Sequence, residues 1–173
     1  DDFVFDVIDE VLTEGVTSRL YSTLVRDKRL AASVLSDTNY PGVRAPNLFV
    51  IAATPLAPHS VTEVETAIYE ELDRLKTEPI SAKEFERVLN GLDADLVRSL
   101  RSNSGLASQL AFYQTVAGTW RYVLNARDRI AAVTPADVQR VAAQYLTKPN
   151  RTVGVLVKKA QDKKMAAAGE VAR

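Results

Sequence analysis

The chain has 173 residues, 46% of them apolar and 25% charged, enough for one well-filled core or a core with an appendage. Its 22 Lys+Arg balance 22 Asp+Glu, so the broad basic field of a phosphate-backbone binder is missing and nucleic acid is not an expected partner. There is no cysteine, which excludes disulfides, thiolate zinc sites, iron–sulfur clusters and cysteine nucleophiles together, and no apolar run nears the roughly 20 residues that cross a bilayer.

The chain begins at Asp1 with helix-like sequence and shows no charged segment followed by an apolar one, so no signal peptide is visible and an excised domain or processed product is expected. Phe3, Val4, Val7, Ile8, Val11 and Leu12 recur at helical spacing over residues 2–14, and Gly15 supplies the stop. Thr17 is placed to cap a second short helix that runs to about Lys28 with Leu20, Leu24 and Val25 inward. Leu30–Tyr40 reads as a strand. A loop with Pro41, Gly42, Pro46 and Asn47 then leads to an antiparallel partner, Leu48–Thr54.

Pro55 and Pro58 end that strand, and Ser60 with Glu63 forms a capping box for a helix to about Lys76. Pro79 breaks it. Ser81 and Glu84 make a second box, opening a helix whose inner face is Phe85, Val88, Leu89, Leu92, Leu96 and Leu100. Ser102–Gly105 marks a kink, and Leu106, Leu110 and Tyr113 continue to Gly118. One more helix covers about Trp120–Ala132. Thr134, Pro135 and Asp137 give a cap, an N1 proline and a first-turn acid for the last, which reaches about Leu146. After a turn at Lys148–Asn150, Thr152–Val157 alternates as a β-branched strand, and the Ala/Lys-rich tail with Ala166–Ala168 is expected to fray. The expected fold is one α+β domain, an antiparallel sheet packed with helices mainly on one face. Only three strands are visible for so many helices, so an incomplete or partner-extended sheet is also expected.

Chemistry is sparse. His59 is the one histidine, a loop residue just before a helix start, and only carboxylates could complete a metal site around it. No Gly-x-Ser-x-Gly turn surrounds any serine, and the seven glycines fit no nucleotide motif. Glu63, Glu70, Glu71, Asp73, Glu84, Glu86, Asp93 and Asp95 fit solvated helix faces. Phe112, Tyr113, Trp120 and Tyr122 read as core or interface residues at a helix junction, and Gly91 as a point of close helix packing. Arg26, near the end of the second helix, has two readings. It is a cation favouring a helix C-terminus, or a planar fork aimed at a peptide carbonyl or carboxylate.

Gly15–Val25 (GVTSRLYSTLV) followed by Arg26–Val34 (RDKRLAASV) resembles the segment of M16 pitrilysin/insulinase-type zinc peptidases that runs Gly-x-x-Ser-Arg-Leu-(aromatic) into Leu-Arg-x-Lys-x-Gly-Leu-Ala-Tyr-Ser-Val. Val133–Val157 is similar to that family's Val-Thr-x-x-Asp-Val-x-x-Val-Ala-x-x-Tyr-Leu run before a final strand. The resemblance covers about residues 2–158, leaving 159–173 as a flexible tail. It implies the LuxS/processing-peptidase-like metallohydrolase fold and homologous domains arranged as two halves. One half carries His-x-x-Glu-His and a distal Glu around zinc. That motif is absent here, so the resemblance implies the C-terminal, non-catalytic domain, which closes over an extended peptide.

By itself such a chain is no enzyme and holds no cofactor. Zinc is expected in a partner half, in the same full-length chain or another subunit. Many relatives present an Arg and a Tyr, seven residues apart, to the peptide. The resemblance places the Arg on Arg26 and the Tyr on Ser33, or on Ala32 if the missing glycine is a deletion. Neither is aromatic, which keeps a second expectation open, a structural or regulatory M16-like assembly module. A periplasmic or otherwise exported bacterial location follows by association alone.

Overall fold

The computed structural model describes residues 1–44 and 46–157. Helix α1 (Asp2–Leu12) forms on the expected stripe, with Val7, Ile8, Val11 and Leu12 fully buried. Gly15, at φ +77°, takes the left-handed turn beyond it. Thr17 does not cap the next helix. Ser18 shapes the turn instead, its hydroxyl donating to the Gly15 carbonyl at 2.8 Å. Helical backbone starts at Arg19 and widens into a π-helix over Tyr21–Asp27, where the Lys28 N–H reaches back five residues to the Thr23 carbonyl at 3.0 Å.

Strand β1 (Ala31–Tyr40) pairs antiparallel with β2 (Leu48–Pro55), Val34 opposite Ala53 and Ser36 opposite Ile51. The register slips between Ala31 and Ser33, so Ala32 is the extra residue of a bulge. One face of this ribbon turns Val34, Phe49, Ile51 and Ala53 into the core, while Leu35 and Leu48 on the other chain positions stay exposed. Helices therefore cover one face.

Helix α2 (Val61–Thr77) opens on the Ser60–Glu63 capping box and buries Val64, Leu72 and Leu75. Helix α3 (Ala82–Leu100) is capped by Ser81, but its box is only half made, because the Glu84 carboxylate is taken by Arg19. Two acids thus leave the solvated faces expected of them. Glu84 forms that fork, and Glu71 is buried, accepting from the Thr23 hydroxyl at 2.9 Å and from Arg74 at 3.1 Å. Burial without such partners would be costly.

Helix α4 (Asn103–Val116) starts after the expected kink; a Cβ at Gly105 would overlap the Ser99 carbonyl oxygen, so only glycine allows the close approach of the two helices. Helix α5 (Tyr122–Ala131) starts two residues later than Trp120, which lies in the preceding turn. Helix α6 (Pro135–Tyr145) has the full Thr134–Pro135–Asp137 start and packs Val138, Val141 and Ala142 into the core beside α1 and α2.

The expected third strand, Thr152–Val157, does not form. Its β-branched residues lie without a ladder partner among the described residues, and strand propensity without pairing cannot hold a strand. Leu156 is 94% exposed. The expected tail, 159–173, lies outside the described residues. The fold is α+β, helix-rich, with a two-stranded antiparallel sheet.

Candidate functional site

Arg26 sits in the last turn of the π-helix and is half exposed. Its Nε donates to Asp27 Oδ1 at 2.7 Å and its Nη2 to Asp27 Oδ2 at 3.1 Å, a two-pronged fork between sequence neighbours. That hydrogen bonding holds the Asp27 carboxyl below the usual carboxylate range and raises the guanidinium further. Among the described residues no other side chain bonds to Arg26, although its place in the last turn also suits a cation at a helix C-terminus.

Three residues after Arg26 the backbone turns left-handed. Arg29 has φ +51°, a left-handed conformation that glycine adopts freely and branched or long side chains rarely do. Such a backbone suits the glycine of the Lys-x-Gly-Leu-Ala-Tyr pattern with one residue deleted before it, which puts the Tyr position on Ala32; counted without a deletion it is Ser33, paired with Thr54. Ala32 is exposed and is the bulged residue of β1. Bulges re-aim side chains, but a methyl has no hydroxyl to offer.

The described residues do not assemble a zinc site. His59 Nδ1 lies 3.4 Å from Glu63, and Glu63's other oxygen accepts the Ser60 N–H of the capping box at 2.7 Å. No group of three or more His, Cys, Asp or Glu among the described residues is placed to hold a metal. One histidine and a carboxylate occupied in capping do not fit zinc.

Carboxylates cluster elsewhere. Asp6 and Asp9 of α1 face β1, where Ser36 donates to Asp9 and Thr13 bonds Ser36 at 2.5 Å. Burial and the neighbouring Asp2 and Asp9 push Asp6 up to about 6. On the α3 side, burial, then Glu14 and Asp95, push Glu10 up to about 7, against the opposing pull of Arg87. A Cβ on Gly91 would sit 3.4 Å from the Glu10 carboxylate, an ordinary contact with the end of a flexible side chain, so α1 and α3 do not require glycine there. Near α4 and α5, Tyr113 stacks on Tyr122 at 5.0 Å and Tyr122 on Phe3 at 5.8 Å. These rings join helices, as expected, though Trp120 remains 40% exposed.

Sequence reasoning missed an open groove of about 580 Å³ between β2, α2 and the segment after α6, lined by Phe49, Ile51, Val64, Ile68, Val153 and Val155. Arg151 lies over the Tyr69 ring at 3.8 Å on its rim. The alternation of Val153 and Val155 was its only sequence signal.

Residues 1–92 match the model of the family described as the peptidase M16 inactive domain. The chain belongs to that family. An uncharacterized zinc protease of Streptomyces coelicolor is 32% identical over 141 residues, 81% of this chain and 30% of the relative. The zinc protease PqqE of Helicobacter pylori is 27% identical over 145 residues, 84% of this chain and 32% of the relative. The M16 chain thus spans about a third of the length of these curated relatives. Among solved structures, a protease from Helicobacter pylori superposes with a TM-score of 0.79 at 25% identity, covering 86% of this chain and 35% of that one. A Bordetella parapertussis structure named as the inactive peptidase domain of a zinc protease gives 0.77 at 27% identity, with 92% and 86% covered. No helix among the described residues of this M16 domain is long and apolar enough to cross a membrane.

Proposed function

We propose that this chain is the non-catalytic half of a zinc metallopeptidase, closing over an extended peptide while a separate half with His-x-x-Glu-His holds the zinc. The reading rests on the inactive-domain family match joined to one observation, a guanidinium at the family's Arg position that the fold leaves exposed and holds only through Asp27. In this role Arg26 contacts the peptide and the helix-covered ribbon forms chamber wall. Polarisation of the scissile carbonyl and activation of water belong to the other half's metal. That half lies in the same full-length protein or in another subunit.

The Ala32 position favours a second reading. Without the ring and hydroxyl of the family's Tyr, the substrate contact is half built, as it would be in an assembly module that has lost peptidase work.

Zinc content and cleavage of a quenched peptide library separate these. The purified chain alone is expected to hold no stoichiometric zinc and to cut nothing, and adding the His-x-x-Glu-His half of the same protein is expected to restore cleavage. Arg26→Ala in the reconstituted enzyme should lower kcat/KM about tenfold, the loss of a charge-assisted hydrogen bond. Chelator-sensitive cleavage by this chain alone would overturn the proposal. Reconstituted cleavage indifferent to Arg26→Ala would remove the peptide contact, and no cleavage in any combination would leave the assembly module.

A further inference from the structure

An arginine at a peptide site can serve two kinds of acceptor. A neutral main-chain carbonyl needs one or two N–H donors, whereas a carboxylate gains from the parallel two-donor fork and from the opposite charge. The sequence leaves this open for Arg26, and the structure bears on it. A guanidinium carries five N–H donors. The Nε–Nη2 side, the fork closest to the stem, is already filled by both oxygens of Asp27 at 2.7 and 3.1 Å. Two donors are thus committed, and the remaining three, on Nη1 and the outer side of Nη2, point away from Asp27. The two side chains are similarly exposed, 54% and 58%, so any ligand that reaches Arg26 meets the carboxylate as well.

The charges decide the rest. Arg26 with Asp27 presents a pair of zero net charge. An incoming carboxylate would share one cation with a second anion a few ångströms away, and its attraction to Arg26 would be largely cancelled by repulsion from Asp27. A carbonyl meets no such opposition and finds three oriented donors. We propose that Asp27 is a selectivity residue of the Arg26 site, directing it to uncharged peptide carbonyls and against C-terminal carboxylates and acidic side chains. This rests on the reading of Arg26 as a peptide contact. The substrate class that follows is the interior of a longer chain, with neutral residues where it passes Arg26. Asp27 acts through Arg26 and touches no reacting atom, so it is a positioning residue.

The test uses the purified chain and two N-acetylated, otherwise uncharged decapeptides of one sequence, one ending in a free carboxylate and one in an amide. Fluorescence anisotropy gives the acid-to-amide affinity ratio at low salt. The unaltered chain should prefer the amide or bind both alike. Asp27→Asn should raise the acid-to-amide ratio about fivefold, the scale of one exposed charge pair. The gain should fade at 0.5 M salt, which a merely structural effect would not do. Asp27→Glu should keep the original preference. Arg26→Ala should weaken binding of both peptides about tenfold. If Arg26→Ala weakens binding but Asp27→Asn leaves the ratio unchanged, the selectivity role is wrong and the peptide contact stands. If neither peptide binds, or binding ignores Arg26, the peptide contact itself fails. Asp27 is exposed and outside the core, so the variants should melt at the temperature of the unaltered chain, and thermal melts check that folding is not what changed.

Discussion

At the scale of single residues, the segment from Arg26 to Ala32 shows what one dihedral angle adds to a count. By counting alone, the family's Tyr falls on either Ser33 or Ala32, because the spacing has lost a residue and residue types do not say where. Arg29 is the only non-glycine residue with positive φ among those described, a backbone that suits the family's glycine and so favours the count that ends on Ala32. The arginine is there at a cost of about 1–2 kcal/mol relative to a relaxed backbone. Arg29→Gly should therefore stabilise the domain by up to about 1 kcal/mol, the relief being offset in part by the extra freedom glycine gives the unfolded chain. Arg29→Val should destabilise by about 1–2 kcal/mol, because a β-branched side chain tolerates that region worst. Urea melts of the two variants check both signs; equal effects would mean the turn relaxes and the angle carries no strain. Arg26 itself was legible from sequence, whereas its partner was not. Asp27 reads as one more surface acid until the fork between neighbours is seen.

At the scale of elements, helix starts were the most legible part of the fold. Ser60, Ser81 and Thr134 each cap the helix that follows, as expected, and Ser102, read from sequence only as part of a kink, caps a fourth, because a hydroxyl that accepts from an N–H three residues on is a purely local arrangement. What sequence could not supply was the use of a capping residue by a distant partner. Glu84 leaves its own box for Arg19, 65 residues away, and this fork ties the start of the π-helix to the start of α3. Thr23 reaching Glu71 ties the same π-helix to α2. The turn that presents Arg26 is thus fixed from two sides by side chains of other helices. The Arg19–Glu84 pair is largely sheltered, with side chains 13% and 22% exposed, so screening removes only part of its worth. Arg19→Ala should cost about 1–3 kcal/mol, since it leaves a sheltered carboxylate unpaired. Hydrogen exchange should show faster opening across Tyr21–Asp27 than across α6. A loss confined to α3, with the π-helix as protected as before, would mean the fork does not hold that turn. Thr152–Val157 failed as a strand for the complementary reason. Its pattern is strand-like, but pairing is a property of two segments, and no local signal reports that the described residues hold no second one.

At the scale of the whole molecule, the net charge of zero conceals a division that only the fold reveals. Some acids are held low by their partners: Glu84 by Arg19, Glu63 by the Ser60 cap, Asp137 by the Thr134 cap. Others, all on α1, are pushed up by burial: Asp6 to about 6, Glu10 to about 7, and Asp9 in the same direction. The two sets act on stability with opposite sign. For the α1 acids the folded state binds protons more tightly than the unfolded chain. Between about pH 4.5 and 7 the native state therefore carries more protons, and stability falls as pH rises through that window. For the low set the unfolded chain binds protons more tightly, so stability falls as pH drops below about 4.5, through the ordinary carboxylate range. The domain should therefore melt highest in mildly acid solution, near pH 5, and lower at pH 8. Glu10 gives the cleanest test because it is nearly enclosed between α1 and α3 with Gly91 against its carboxylate. Glu10→Gln keeps the shape and removes the titration, so it should raise Tm at pH 8, change it little at pH 5, and flatten the curve between them. A Glu10→Gln variant that shifts Tm equally at both pH values would show that the side chain matters through packing alone. The alkaline loss would then have to come from Asp6 and Asp9, whose replacement by Asn in the same background would have to flatten what remains.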